Sequence, residues 1–312
     1  HAHVDFSSAG GSPLSCVMGE AVIDVLDDRI ESVETPDPLT VMLKFSEPFA
    51  SWPILFDAII PAHVIEAEGT VAQALHWFDR ATLEELWPQV RAALDWIARF
   101  GDRNGDGFID YGRRRESGLR NQGWKDSEDA VFHADGKLAA APIALCEVQG
   151  YTYLAYREAA LLAYDLGEKQ LSAELEEQAD RLQRRFEAAF WCEELGTYAL
   201  ALDGAGEPCR VRTSNAGQLL FSRMVRPERA ARVVKNLFSA EFFSGWGIRT
   251  VGKREKRFNP TSYHNGSVWP HDNALIALGL ARYGHSDEAL ALTSALFDAA
   301  AQMHLRRLPE LF

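Results

Sequence analysis

The stretch NQGWKDSEDA, residues 121–130, sets Trp124, Lys125 and Asp126 side by side among polar neighbours. A lone aspartate in a polar loop reads first as a helix N-cap or a solvated carboxylate. A tryptophan beside it admits a second reading. An indole face stacks on a pyranose ring, and its apolar flank raises a neighbouring carboxyl toward general-acid duty. Lys125 acts in the opposite sense, since a nearby cation favours the carboxylate.

Further along, PIALCEVQGYTYLAY (142–156) buries Glu147 in an otherwise apolar helical pattern. A glutamate there needs a partner, so it is either a hydrogen-bonded structural residue or part of a site wall. FFSGWGIRT (242–250) combines Trp246 and Arg249 with two glycines. The densest stretch is NPTSYHNGSVWPHDNALIA (259–277), where Tyr263, His264, Trp269, His271 and Asp272 lead into a helical pattern. His264 and His271 invite a metal reading, but no third ligand stands at metal-site spacing, and hydrogen bonding to sugar hydroxyls is the preferred reading. RRLPELF (306–312) ends the sequence with Glu310 behind a proline, by itself a frayed tail.

GDRNGDGFIDYG (101–112) matches the first part of a calcium loop, with Asp102, Asn104, Asp106 and Asp110 at alternating positions and Gly107 sixth. Its twelfth position is Arg113 instead of the bidentate glutamate. Two readings stay open, a structural Ca²⁺ and an ion-free turn closed by Asp and Asn side chains. No other metal or cofactor is expected.

Several chemistries are excluded. There is no Ser-His-Asp order, no G-x-S-x-G, and no glycine-rich phosphate loop of either common type. A net charge of −13 argues against a nucleic-acid partner. No apolar run is long enough to span a bilayer. The four cysteines lack metal spacing, and Cys146 and Cys192 sit in apolar helical settings that suggest buried thiols in a reducing, cytoplasmic compartment. The sequence begins at His1 without a charged and apolar leader, as a processed chain or a fragment would. Carboxylates, aromatics and histidines on loops remain, the inventory that glycoside hydrolysis uses.

Those loops need elements to position them. Residues 20–68 read as β-containing, with strands around Ile30 and Val33 and around Val41, Leu43 and Phe45, joined by a turn at Pro36-Asp37-Pro38. From about residue 82 the texture is helical. Thr82 and Glu85 form a capping-box pattern before Leu83, Leu86, Val90, Leu94 and Ile97, with Pro88 as a kink or a later start. Further helices are expected within 141–165, along Leu171 to Phe190, and over 227–238, 270–283 and 286–304, the last capped by Ser286. Helices joined by chemically dense loops suggest a mainly α fold, an α/α toroid of about seven or eight helices. The domain boundary falls within 65–82, giving a β-containing segment 1–70 and a helical domain 71–312.

WKDSEDA, GWGIRT, YHNGSVWPHDNALIALGL and RLPELF, in this order, resemble the catalytic domain of amylo-α-1,6-glucosidase-type, glycogen-debranching-like proteins. These belong with glucoamylases, trehalases and mannosylglycerate hydrolases among the (α/α)6-barrel glycosidases. The resemblance covers about 80–312 and implies an α-glucoside or oligosaccharide substrate hydrolysed with inversion. It implies Asp126 as general acid and Glu310 as general base. It also implies a sugar subsite of Trp124, Trp246, Trp269, His264 and His271, with Tyr111 and Arg249 as further walls. It implies an incomplete (α/α)6 ring, truncated at both ends, with Glu310 on an end free to fray. Residues 24–69 resemble part of an oligopeptide/dipeptide-type solute-binding protein. The alternative function is therefore a non-catalytic sugar- or solute-binding module, or an inactive piece of a fusion.

Overall fold

In the computed structural model the described residues are 2–5, 30–37, 40–45 and 80–312. The chain divides into two units, His1–Glu85 and Leu86–Phe312. The first holds a three-stranded antiparallel sheet, with β3 (Thr40–Phe45) between β1 (Ala2–Asp5) and β2 (Ile30–Asp37). Leu43 stands opposite Ala2 on one side and Val33 on the other. The β2–β3 pair matches the alternation of the sequence, and β1 has no comparable sequence signal. Pro36 and Asp37, expected in the turn, instead close β2, with Asp37 opposite Thr40. Most of the solute-binding-protein resemblance lies outside the described residues.

The second unit is helical. α1 (Arg80–Phe100) starts ahead of Thr82, so the expected capping pair lies inside the helix, which continues through Pro88. Val90, Leu94 and Ile97 pack against the main core. Six more helices follow: α2 (Cys146–Asp165), α3 (Lys169–Phe190), α4 (Asn215–Phe221), α5 (Pro227–Leu237), α6 (Pro270–Arg282) and α7 (Ser286–Gln302). The short buried α4 has no sequence signal beyond its apolar run. Ser286 is the first residue of α7 instead of its cap, a position held by His285. The fold of the described residues is mainly α, an incomplete α/α toroid of seven helices preceded by a short β segment.

Inner and outer helices alternate for a reason visible in their composition. α3 and α5 carry one apolar stripe and charged residues elsewhere, the pattern of helices packed on one side only. α2, α4 and α6 are apolar or small on most faces, so they fit where neighbours surround them. A three-residue link, Leu166 to Glu168, turns α2 back into α3 as an antiparallel hairpin. α4 packs between α2 and α6. Glycine makes these inner crossings possible. A Cβ on Gly217 of α4 would stand 2.8 Å from Ile276 of α6, and one on Gly279 of α6 would stand 2.4 Å from the Phe221 backbone nitrogen.

A consequence is that the inner helices begin at a common end. Glu147 lies in the first turn of α2, Asn215 opens α4, and Asp272 lies in the first turn of α6. Helix N-termini favour negative groups there. A second, smaller core of Val131, Phe132, Ile143, Leu200, Val211 and Val251 supports the loops above that end. The short strand pair β4 (Ala144–Leu145) with β7 (Ala201–Leu202) belongs to the same layer, while β5 (Trp191–Cys192) pairs with β6 (Thr197–Tyr198) behind α3. Cys146, Cys192 and Cys209 are buried free thiols. Among the described residues no helix is long and apolar enough to cross a membrane.

Candidate active site

Three aromatic rings and two histidines gather where the 121–130 loop meets the 259–273 loop. Trp124 stands edge-on to His264 and Trp269, each at 5.7 Å between centroids, and to His271 at 4.8 Å. His264 stacks on Trp269 at 5.0 Å with 17° between planes. Tyr263 closes the group, edge-on to His264 at 4.6 Å and to Trp269 at 4.9 Å. Edge-to-face and offset arrangements like these are the favoured aromatic geometries. The 259–269 loop holds its own shape: Trp269 Nε1 donates to the Tyr263 carbonyl at 2.8 Å, and Ser267 Oγ donates to the same oxygen at 2.7 Å.

Lys125 and Asp126 face opposite ways. Lys125 is buried, its Nζ donating to the Thr250 carbonyl at 2.7 Å and lying 4.9 Å from the Trp124 ring centroid. Burial pushes its pKa down to about 8, against the pull of the Asp272 and Glu147 carboxylates. Asp126 is exposed, with 53% of its side chain accessible. The cation that neighbours it in sequence therefore points into the toroid and serves the inner helix ends instead.

Four ties hold the Asp126 loop. Tyr111, itself bridged to Ile143, donates its hydroxyl to Asn121 Oδ1 at 3.1 Å, and Asn121 Nδ2 donates to the Ser127 carbonyl at 2.6 Å. Asn265 Nδ2 reaches the Asp129 carbonyl at 3.3 Å. Ser127 meets His264 Nδ1 through its hydroxyl at 2.6 Å and its backbone N–H at 3.4 Å. The backbone N–H can only donate, so Nδ1 accepts and the ring hydrogen sits on Nε2.

His264 lies 3.9 Å from Asp126 Oδ1. Burial is the largest influence on its pKa, lowering it to about 4 with help from Lys125 and against Asp126, Asp129 and Glu310. The imidazole is therefore neutral near pH 7, and its contact with Asp126 is dipolar instead of an ion pair. Glu310 is exposed and accepts the Tyr263 hydroxyl hydrogen at 2.7 Å. That hydrogen bond, foremost, raises the Tyr263 pKa, with the charges of Glu310 and Asp126 adding to it. Both carboxylates thus act on the same Tyr263–His264 pair.

The tail that carries Glu310 is anchored. Phe312 exchanges two backbone hydrogen bonds with Val268, at 2.7 and 3.0 Å, and Val268 is bridged on its other side to Arg249. The end expected to fray is instead held by this backbone pairing.

Beneath the aromatic group lies a buried polar layer. Glu147 has its pKa raised by burial, with Asn215, Lys125 and Cys146 moderating the shift. Tyr151 donates to Gln218, whose amide donates to Asp272 Oδ1. Glu147 Oε2 accepts from the Cys146 thiol at 3.6 Å, while its Oε1 is buried without a partner among the described residues.

Not every expected residue joins the cluster. Trp246 is 45% exposed and makes no ring contact with the cluster among the described residues. Arg249 donates to the Phe242 carbonyl at 3.4 Å, and burial lowers its pKa. The hydroxyl of Tyr111 buttresses the loop from behind. Ser127, Asn121 and Gln218 were not singled out from sequence, and Tyr263 was named in its stretch without a role in the site. Tyr263 had a signal, its place directly before His264; a glutamine inside the apolar NAGQLLF helix had none.

In the 101–112 loop the oxygens turn onto the chain itself. Asp102 accepts from the Gly105 and Gly107 amides, both at 2.7 Å, and Asp106 accepts from Phe108 N at 2.9 Å and Asn104 Nδ2 at 2.9 Å. Asp110 accepts from Arg103 N at 3.1 Å. Among the described residues no group of three or more His, Cys, Asp or Glu side chains is disposed to hold a metal ion.

An α/α toroid with carboxylates and aromatics on the loops at one end defines a glycoside hydrolase domain. The chain belongs to the mannosylglycerate hydrolase MGH1-like glycoside hydrolase domain family, whose model matches residues 58–307. Among solved structures, a sialidase shares 14% identity over 77% of this chain and 21% of its own, with a TM-score of 0.54, a likeness of fold. A mannosylglycerate hydrolase from Thermus thermophilus, in complex with Tris, is 27% identical over 51% of this chain and 38% of its own, with a TM-score of 0.45. An uncharacterized conserved protein from the same organism is 25% identical over 55% of this chain and 41% of its own, with a TM-score of 0.47. The chain thus spans only about two fifths of these two Thermus proteins. No curated protein matches it.

Proposed function

We propose that this domain hydrolyses an α-linked hexoside with inversion, Asp126 acting as general acid and Glu310 as general base. The observation that carries the reading is the convergence of both exposed carboxylates on one Tyr263–His264 pair. The sugar ring stacks against the Trp124, Trp269 and His264 group, with His271 at its edge. Trp124 Nε1 and His264 Nε2 are buried donors without a hydrogen-bond partner among the described residues, and sugar hydroxyls would satisfy them. Trp246 and Arg249 form an outer rim.

Asp126 gives its proton to the glycosidic oxygen as the bond breaks. Glu310 takes a proton from a water that attacks the anomeric carbon from the opposite face, releasing the β-anomer. Such a pair works across about 6.5–9.5 Å. The Tyr263 hydroxyl orients Glu310 as the base. Neutral His264 sets no counter-charge beside Asp126. The sequence resemblance points to a glucoside of the α-1,6 type, and the family name points to a mannosyl glycerate; both are hexosides.

Proton NMR of the first-formed sugar tests the reading, with β-anomer expected. Asp126→Asn and Glu310→Gln each lower kcat by about 10²–10⁴-fold. Wild-type turnover in both variants would refute the assignment. Sugar binding that persists in both, with no turnover by the parent, would favour the binding-module alternative.

A further inference from the structure

A cavity of about 590 Å³ lies behind the Asp126 loop, and three arginines, Arg103, Arg113 and Arg120, line it together with Asn104 and the 139–143 segment. Arg103 Nη1 donates to the Gly112 carbonyl at 2.6 Å, and Arg113 Nη1 donates to the Glu116 carbonyl at 3.0 Å. None of the three makes an ion pair among the described residues. The nearby acidic side chains do not neutralise them: Asp102, Asp106 and Asp110 are turned onto backbone amides of their own loop. The whole chain carries 45 acidic against 32 basic residues, so carboxylate partners were abundant. Three guanidinium groups around one concavity, each without a counter-charge, make a site poised for an anion. Arginine's planar fork matches carboxylate and phosphate oxygens in pairs.

We propose that this cavity binds a small anion bearing a carboxylate or phosphate group. None of Trp124, Asp126, His264 and Glu310 lines it. It nevertheless borders the catalytic loop at both ends of one hydrogen bond. Gly112 follows Tyr111, Arg120 precedes Asn121, and Tyr111 donates to Asn121. A ligand bridging Arg113 and Arg120 would clamp the two strands of chain that this bond joins, and Asn121 passes the constraint to Ser127. The anion is either the charged end of a substrate or a free effector; the recognising chemistry is the same.

Calorimetric titration with inorganic phosphate at constant ionic strength tests the site without reference to hydrolysis. One saturable site is expected, weakened at least tenfold in the Arg113→Gln/Arg120→Gln double variant and unchanged in Lys235→Gln on α5. Circular dichroism and the melting temperature report that the double variant is folded. Absence of saturable binding, or equal affinity in the double variant, overturns the proposal whatever the hydrolytic activity. Two further arms separate the sources. A carboxylated glycoside whose KM rises in the double variant, while that of a neutral glycoside does not, assigns the anion to the substrate. Phosphate that changes kcat on the neutral glycoside, with the effect lost in the double variant, assigns it to an effector.

Discussion

Tyr263 donates its hydroxyl hydrogen to Glu310 at 2.7 Å across 47 residues of sequence, and this bond joins the tail of the chain to its aromatic cluster. Tyr263→Phe keeps the ring contacts with His264 and Trp269 and removes only the donor. Because the pair is exposed, stability is expected to change by less than about 0.5 kcal/mol. On the proposed mechanism kcat falls about tenfold, since a hydrogen bond to a charged group is lost where the base must be oriented. Steady-state kinetics beside a thermal melt separates the two, and an unchanged kcat would remove Tyr263 from the mechanism.

Lys125 gives a test of the interior. Lys125→Met leaves the Thr250 carbonyl without its donor and the buried Glu147 and Asp272 without their cation. Breaking such a buried arrangement costs on the order of 3 kcal/mol. The pH dependence has a definite sign. The pKa of Lys125 is lowered from 10.5 to about 8 in the folded protein, so between those values the unfolded chain binds more protons. Stability from this group therefore rises with pH over that window. Denaturant melts at pH 7.5 and pH 9.5 should show the wild type gaining on the variant at the higher pH; a constant difference would contradict the burial of the ammonium.

His264 behaves in the acid range. Its folded pKa of about 4 lies below the ordinary 6.5, so protons bind the unfolded chain first as pH falls. The contribution of His264 to stability is complete above pH 6.5 and is lost as pH drops toward 4. Nitrogen-15 NMR of the ring should report a neutral imidazole with the hydrogen on Nε2 at pH 6. A protonated ring there would show that Asp126 faces a cation after all.

Gly247 links backbone conformation to the position of Glu310. Its φ is +149°, and an added Cβ would lie 2.6 Å from Cγ1 of Val268, the residue that pairs with Phe312. Gly247→Ala should cost about 1–3 kcal/mol and lower kcat more than it raises KM, because the base moves while the sugar platform stays. A melting temperature equal to the wild type would show that the segment around Val268 yields freely.

Much of the fold was legible because helices repeat. The stripes along Leu171 to Phe190 and over 227–238 specify one buried face, and α3 and α5 lie where those stripes place them. The short α4 escaped because seven residues contain too little periodicity to separate a buried helix from a buried strand. The capping patterns at Thr82 and Ser286 were misplaced by one to three residues, since a side chain suited to a cap is also tolerated just inside a helix. Among the expected site residues, Trp124, His264, Trp269 and His271 come together because two loops leave one end of the toroid. Trp246 and Arg249 share a loop but not a direction: the indole is exposed, and the guanidinium is held at the Phe242 carbonyl.

The sequence by itself determined the residue types available to the site and the helices that carry them, because apolar period and loop chemistry are local properties. Tertiary structure decided which way each loop side chain points. Lys125 and Asp126 are neighbours in a stretch with no period, and only packing distinguishes them. The lysine's stem and charge fit between Trp124, Thr250 and the inner helix ends, while the aspartate is left facing outward beside His264. The same holds for Glu310, whose tail looks free in sequence and is fixed by two backbone hydrogen bonds to Val268, a partner that only the folded chain brings within reach.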